Sequence, residues 1–129
     1  MAIKDVLRDH GDQLNVEQLT AVIAAAADCA AHCEACADAC LEEGDPDLTR
    51  CIRADLDCAD ICSATAKVVA RAGASGAPWL EQVRVCMDAC AHCAEECEKH
   101  QDMHDHCRAC AEACRRCEQA CRELLDASS

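Results

Sequence analysis

The chain is 129 residues long, the length of one domain, and carries a formal net charge of −13. That charge excludes nucleic acid as a partner, because phosphates attract Lys and Arg, and it sets the chain against an anionic membrane surface as well. Sixteen cysteines and a single aromatic residue, Trp79, exclude a conventional aromatic core, and the Ala-, Glu-, Arg- and Leu-rich remainder with few Gly or Pro is an all-α composition.

From the N-terminus, Ile3, Val6 and Leu7 share one face of a short helix over about 2–11, which Gly11 ends. That face suits docking on the main body or on another subunit. Met1 to Leu14 has charges throughout and no apolar run long enough for a secretory signal or a membrane span, which points to the cytosol. In a reducing compartment, abundant cysteine means metal or redox chemistry rather than a disulfide framework. The first long helix, about 15–43, opens with Asn15 as N-cap and Gln18 three residues on, and stops before Gly44. Asp45 and Pro46 cap and open a second helix, about 46–72. After a loop from Gly73 to Ala77, Pro78 opens a third, about 78–100. Asp102 is placed to cap a fourth, about 102–126. Short connections between long helices predict an antiparallel up-down-up-down four-helix bundle, one domain spanning 1–129, with the short N-terminal helix added to it.

The cysteines fall three or four residues apart, which puts them on one face of each helix with Cβ atoms about 5–6 Å apart. The first helix carries Cys29, Cys33, Cys36 and Cys40, and the second carries Cys51, Cys58 and Cys62, with Asp55 in the slot where a fourth cysteine would fall. The third carries Cys86, Cys90, Cys93 and Cys97, and the fourth Cys107, Cys110, Cys114, Cys117 and Cys121. Four such faces turned inward make a tube lined with sulfur. Continued past the cysteines, the stripes become apolar: Ala26, Val22 and Leu19; Thr65, Val69 and Ala72; Val83 and Trp79; Leu124 and Leu125. In an antiparallel bundle these extensions meet and plug one end. The other end finishes in Glu43, Leu48, His100, Met103 and His104, with Asp55 one turn inside.

Thiolate is the metal-binding form of cysteine, and soft sulfur ligands favour Cu(I) or Zn(II). Structural zinc sites gather four ligands from knuckles or loops, whereas these pairs lie inside uninterrupted helices. Cu(I) is satisfied by two or three sulfurs, which an i, i+4 pair or a pair across helices supplies. Charge agrees, since one Cu(I) replacing one thiol proton leaves the core neutral, while many divalent ions would leave it highly charged. Capacity by this reasoning is about one copper per cysteine, with a few more at the mouth.

These helices resemble the cytosolic copper storage proteins, Cys-rich four-helix bundles that hold many Cu(I) ions in their core. The resemblance rests on C-x₃-C-x₂-C-x₃-C at 29–40 and 86–97, C-x₆-C-x₃-C at 51–62, C-x₂-C-x₃-C-x₂-C-x₃-C at 107–121, and the His-rich turn from His100 to His106. It implies storage rather than catalysis, a homotetramer of bundles, and copper entry where Asp55, His100 and His104 sit beside the outermost thiols. Copper would come from a small-molecule thiol or a copper chaperone.

Each candidate has a plainer reading. Buried cysteine also serves as a small hydrophobe, although sixteen at seam spacing argue against that. Asp55 suits a solvated rim as well as a ligand position. His106 is off the seam and is set aside, and Met103 is a gap-filler or a thioether relay. Met87 is off the seam and reads as an interhelix or interface contact. His10, His32 and His92, like Asp38, Glu42 and Glu96, read as solvated faces. The C-x-x-C pairs at 33–36, 90–93, 107–110 and 114–117 lack the exposed helix N-terminus of a thiol oxidoreductase, and the spacing of an iron–sulfur protein is missing. A metallothionein-like buffer for zinc or a toxic soft metal is the competing function.

Overall fold

The computed structural model describes residues 2–8, 15–72 and 78–128, so His10, Gly11 and the Gly73 to Ala77 loop lie outside the described residues. Helices α1 (Ile3–Arg8), α2 (Val16–Glu43), α3 (Thr49–Ala70), α4 (Trp79–Glu98) and α5 (Asp105–Ala127) account for the regular structure, with a short 3₁₀ turn at Pro46–Leu48 and no strand among the described residues. α2 packs against α3 and α5, and α4 packs against the same two, so the four long helices form a square with α2 and α4 on one diagonal.

Side-chain contacts fix the directions. Cys62 near the end of α3 meets Cys86 near the start of α4, and Cys51 at the start of α3 meets Cys97 at the end of α4. Cys40 late in α2 meets Cys107 early in α5, while Asn15, just ahead of α2, donates to the carbonyl of Ala127 at the end of α5. Both pairs are therefore antiparallel, and the molecule is the up-down-up-down bundle that the stripes require.

The ends of the helices follow local chemistry. Gly44 closes α2 in the left-handed region (φ 69°), its N–H bonding to the carbonyl of Leu41, a conformation that L side chains resist. Asp45 accepts a hydrogen bond from the Asp47 N–H and Pro46 leads the 3₁₀ turn into α3. Two expected caps are absent. The Asn15 side chain makes no cap bond, because its amide is engaged with α5. Asp102 does not cap the last helix. After α4 the chain runs through tight turns in which both Met103 and His104 bond to the His100 carbonyl, so His104 becomes the N-cap and α5 begins at Asp105. α3 likewise ends at Ala70 and α4 at Glu98, before their expected limits.

Leu19, Val22, Ala26, Val69, Ala72, Val83 and Leu124 are buried together at one end, with Trp79 and Leu125 partly buried against them. Thr65 satisfies its hydroxyl there by donating to the Ile61 carbonyl and accepting from Gln82. From α1, Leu7 is fully buried in the same core, while Ile3 and Val6 stay exposed. α2 is long and apolar enough to cross a membrane by length and composition, with a mean hydropathy of 1.3 over its best window. That apolarity comes from Ala and Cys together with Val16, Leu19, Val22 and Ile23 near its start, and its buried stripe faces α3 and α5.

Candidate metal centre

All sixteen thiols are free and buried, none more than 1% exposed. They lie on the inner faces because the 4-3-4 spacing keeps each stripe in register with the bundle axis as the helix turns. Next to the plug, Cys62 approaches Cys90 at 3.5 Å and Cys86 at 3.8 Å, and Cys86 reaches Cys117 at 3.9 Å. Midway, Cys29 contacts Cys114 at 3.6 Å, and Cys33 contacts Cys114 and Cys110 at 3.8 Å each and Cys93 at 3.9 Å. Toward the other end Cys51 and Cys97 come to 3.4 Å.

The sulfurs form overlapping sets rather than separate sites. Cys29, Cys62, Cys90 and Cys117 have ligand atoms within 4.8 Å of one another; so do Cys29, Cys33, Cys58 and Cys114, and Cys33, Cys93, Cys110 and Cys114. Successive sets share a cysteine, so a soft ion can exchange one ligand at a time along the axis. Cys36, Cys51, Asp55 and Cys97 form a further set, and Cys36, Cys40, His106 and Cys107 another.

Asp55 is not on a solvated rim. It is fully buried, and Oδ1 accepts from Cys93 and Cys110 at 3.2 Å each and from Cys97 at 3.4 Å, while Oδ2 faces Cys51 at 3.9 Å. Burial, then the negative charge that thiolates at Cys110 and Cys51 would add, pushes its pKa up to about 8. Burial likewise holds the proton on Cys40, raised to about 11, and on Cys107, with charge on neighbouring thiols adding to both. Cys33, Cys36, Cys93 and Cys97 are pushed up as well, first by their hydrogen bonds with Cys110 and also by burial. Cys29, Cys51, Cys58, Cys86 and Cys110 are pulled the other way, first by hydrogen bonds from neighbouring thiols, Cys51 down to about 3, so the core divides into thiols that keep their protons and thiols that give them up.

The histidines sort differently from their seam positions. His106 sits with Nε2 3.5 Å from Cys40 Sγ and belongs to the outermost thiol set. Its ring stacks on His104 at 5.1 Å between centroids. His104 Nδ1 lies 3.7 Å from Glu43. His100 is half-buried in the turn whose carbonyl it supplies to Met103 and His104. His106 was missed because it directly precedes Cys107, off the stripe, and in the first turn of α5 it reaches across to the last turn of α2. The available signal was the His-x-His pair at the helix start. Met103 is 70% exposed and Met87 is partly buried against the core. His32 bonds to the Asp28 carbonyl on the outer face, and His92, Asp38 and Glu42 are exposed as expected. Glu96 is the exception among the flank acids. It is buried, paired with Lys99 at 3.0 Å.

Three solved structures share this fold. The copper storage protein Ccsp of Streptomyces lividans, loaded with 10 copper equivalents, is 46% identical, with a TM-score of 0.87 over 98% of this chain and 99% of that one. A cytosolic copper storage protein from Streptomyces lividans holding five coppers is 49% identical, with a TM-score of 0.79 over 85% of this chain and 93% of that one. The Cu(I)-bound copper storage protein BsCsp3 is 40% identical, with a TM-score of 0.74 over 84% and 98%. Residues 15–126 match the family model described as copper storage protein. The thiol-lined bundle, the shared fold and a match over nearly the whole chain lead to one conclusion: this protein belongs to the copper storage protein family.

Proposed function

We propose that this chain is a cytosolic store for Cu(I), holding many ions in the thiol-lined core as cargo rather than turning over a substrate. One observation carries the reading: the inner thiol sets share cysteines, and Asp55, bonded to Cys93, Cys110 and Cys97, joins them to the outer sets, so the ligands run on without a gap. That continuity suits an ion content with two or three sulfurs at a time, and suits poorly a row of independent tetrahedral zinc sites. The relatives' copper and Cu(I) loading supports the choice of ion. In this reading the sixteen cysteines are the ligands. Asp55, His100 and His104 assist entry, and His106 joins them on its contact with Cys40. A single domain spanning 1–129, assembly as a homotetramer and delivery by a small-molecule thiol or a chaperone complete the proposal.

Ions enter at the polar end because the other is closed by leucine and valine. Each copper displaces a thiol proton, so loading releases protons and strengthens with pH. Native mass spectrometry of the reduced apo protein, offered Cu(I) and Zn(II) together without oxygen, tests the metal. A ladder of copper adducts with little zinc is expected. Retention of a few zinc ions in preference to copper would return the chain to the metallothionein-like reading.

A further inference from the structure

Outside the core, a groove of about 280 Å³ runs between α3 and α4, lined by Arg50, Arg53, Ala54, Asp57, His92 and Glu96. On a chain of net charge −13, two guanidiniums in such a groove would be expected to attract carboxylates from the protein itself. Neither does: Arg50 and Arg53 have no ion-pair partner among the described residues. Their counterparts near the neighbouring groove between α4 and α5 are all engaged, Arg115 with Glu98 and Glu118, Arg116 with Asp28 and Arg108 with Asp105. The groove also holds carboxylates, Asp57 and the buried Glu96, the latter tied to Lys99. Its cations therefore face an open space that also offers negative charge, the pattern that fits a small zwitterion.

Its position is telling. Arg50 directly precedes Cys51 and Glu96 directly precedes Cys97, and those two sulfurs, on α3 and α4, make the 3.4 Å contact toward the polar end of the core. We propose that this groove docks a small amino-acid-type thiol, bearing carboxylates and an ammonium, that delivers Cu(I). The proposal rests on the storage reading and names its donor. Carboxylates of the carrier pair with Arg50 and Arg53, which a guanidinium does through two parallel N–H donors, and its ammonium faces Asp57. Transfer is ligand exchange without electron movement. A carrier sulfur–Cu(I) bond breaks, a protein sulfur–Cu(I) bond forms, and the proton leaving the protein thiol goes to the departing carrier thiolate. The overall charge of the chain repels an anionic carrier elsewhere, so the unpaired arginines select where it lands.

The test has a copper-free arm and a copper arm. Apo protein is titrated with S-methylglutathione, a zwitterionic peptide whose blocked sulfur cannot take part in transfer. Saturable binding is expected, weakened about five-fold or more in Arg50→Ala/Arg53→Ala and partly restored in Arg50→Lys/Arg53→Lys. No saturable binding, or binding indifferent to these substitutions, overturns the groove. In the second arm Cu(I) is offered as its glutathione complex or as its mercaptoethanol complex, which has no carboxylate. The alanine pair should slow transfer from glutathione about five-fold and leave transfer from mercaptoethanol and the final capacity unchanged. Equal slowing from both donors, or none from glutathione, overturns the proposal. Should the chain accept copper from neither donor, the storage reading fails while the copper-free arm still decides the groove.

Discussion

Asp55 occupies a position where four of its neighbours are thiol donors and its side chain is fully buried. Its folded pKa of about 8 lies far above the ordinary carboxylate value of about 3.9. Between those values the folded state holds a proton that the unfolded state has lost, so unfolding releases it and stability falls as pH rises. Replacing Asp55 by Asn, which is neutral at every pH, should leave apo stability unchanged near pH 4. It should raise stability progressively toward pH 8, as denaturant titrations of both proteins at several pH values will show. A constant difference across that range would mean that Asp55 is ionised in the folded apo core. His106 makes a second case at this scale. Removing its imidazole with His106→Ala should weaken the outermost copper by about ten-fold or more while leaving the inner thiols full, read by chelator competition at low loading. The sequence showed Asp55 as a break in a cysteine stripe but not its depth, because depth depends on how far α4 and α5 extend past it. It hid His106, whose contact with Cys40 is made across two helix ends and has no periodicity.

At the scale of elements, spacing made the four helices and their inward faces readable, since a 4-3-4 repeat sustained over several turns is compatible with one face of one helix only. The junctions were less readable. The segment 99–104 could be divided between α4 and α5 in several ways, and the choice fell to competing backbone bonds onto the His100 carbonyl. Gly44 was legible because only a left-handed residue ends α2 there, and nothing lies within 4 Å of where a Cβ would sit. Gly44→Ala should therefore cost about 1 kcal/mol of backbone strain with no steric clash. The plug is the element that lets the tube exist without metal. Leu124→Ala, at a fully buried site, should destabilise the apo protein by about 2–5 kcal/mol in chemical denaturation and leave copper capacity unchanged. Apo protein should accordingly show full helical circular dichroism before copper is added, unlike domains that fold only around their metal.

For the whole molecule, function follows from matching charge to burial. One Cu(I) in place of one thiol proton leaves the charge of the core unchanged, so filling need not halt for electrostatic reasons until the thiols are exhausted. The acidic exterior draws cations toward it at long range, and with leucine and valine plugging the other end we propose the Asp- and His-bearing end as the way in. Anaerobic titration of the reduced protein with Cu(I) against a competing chromophoric chelator reads this capacity. Uptake of about sixteen or more tightly held Cu(I) per chain, one for each of the sixteen thiols, is the expected result. Saturation at about four ions per chain, one per tetrahedral set of four thiolates, would contradict it.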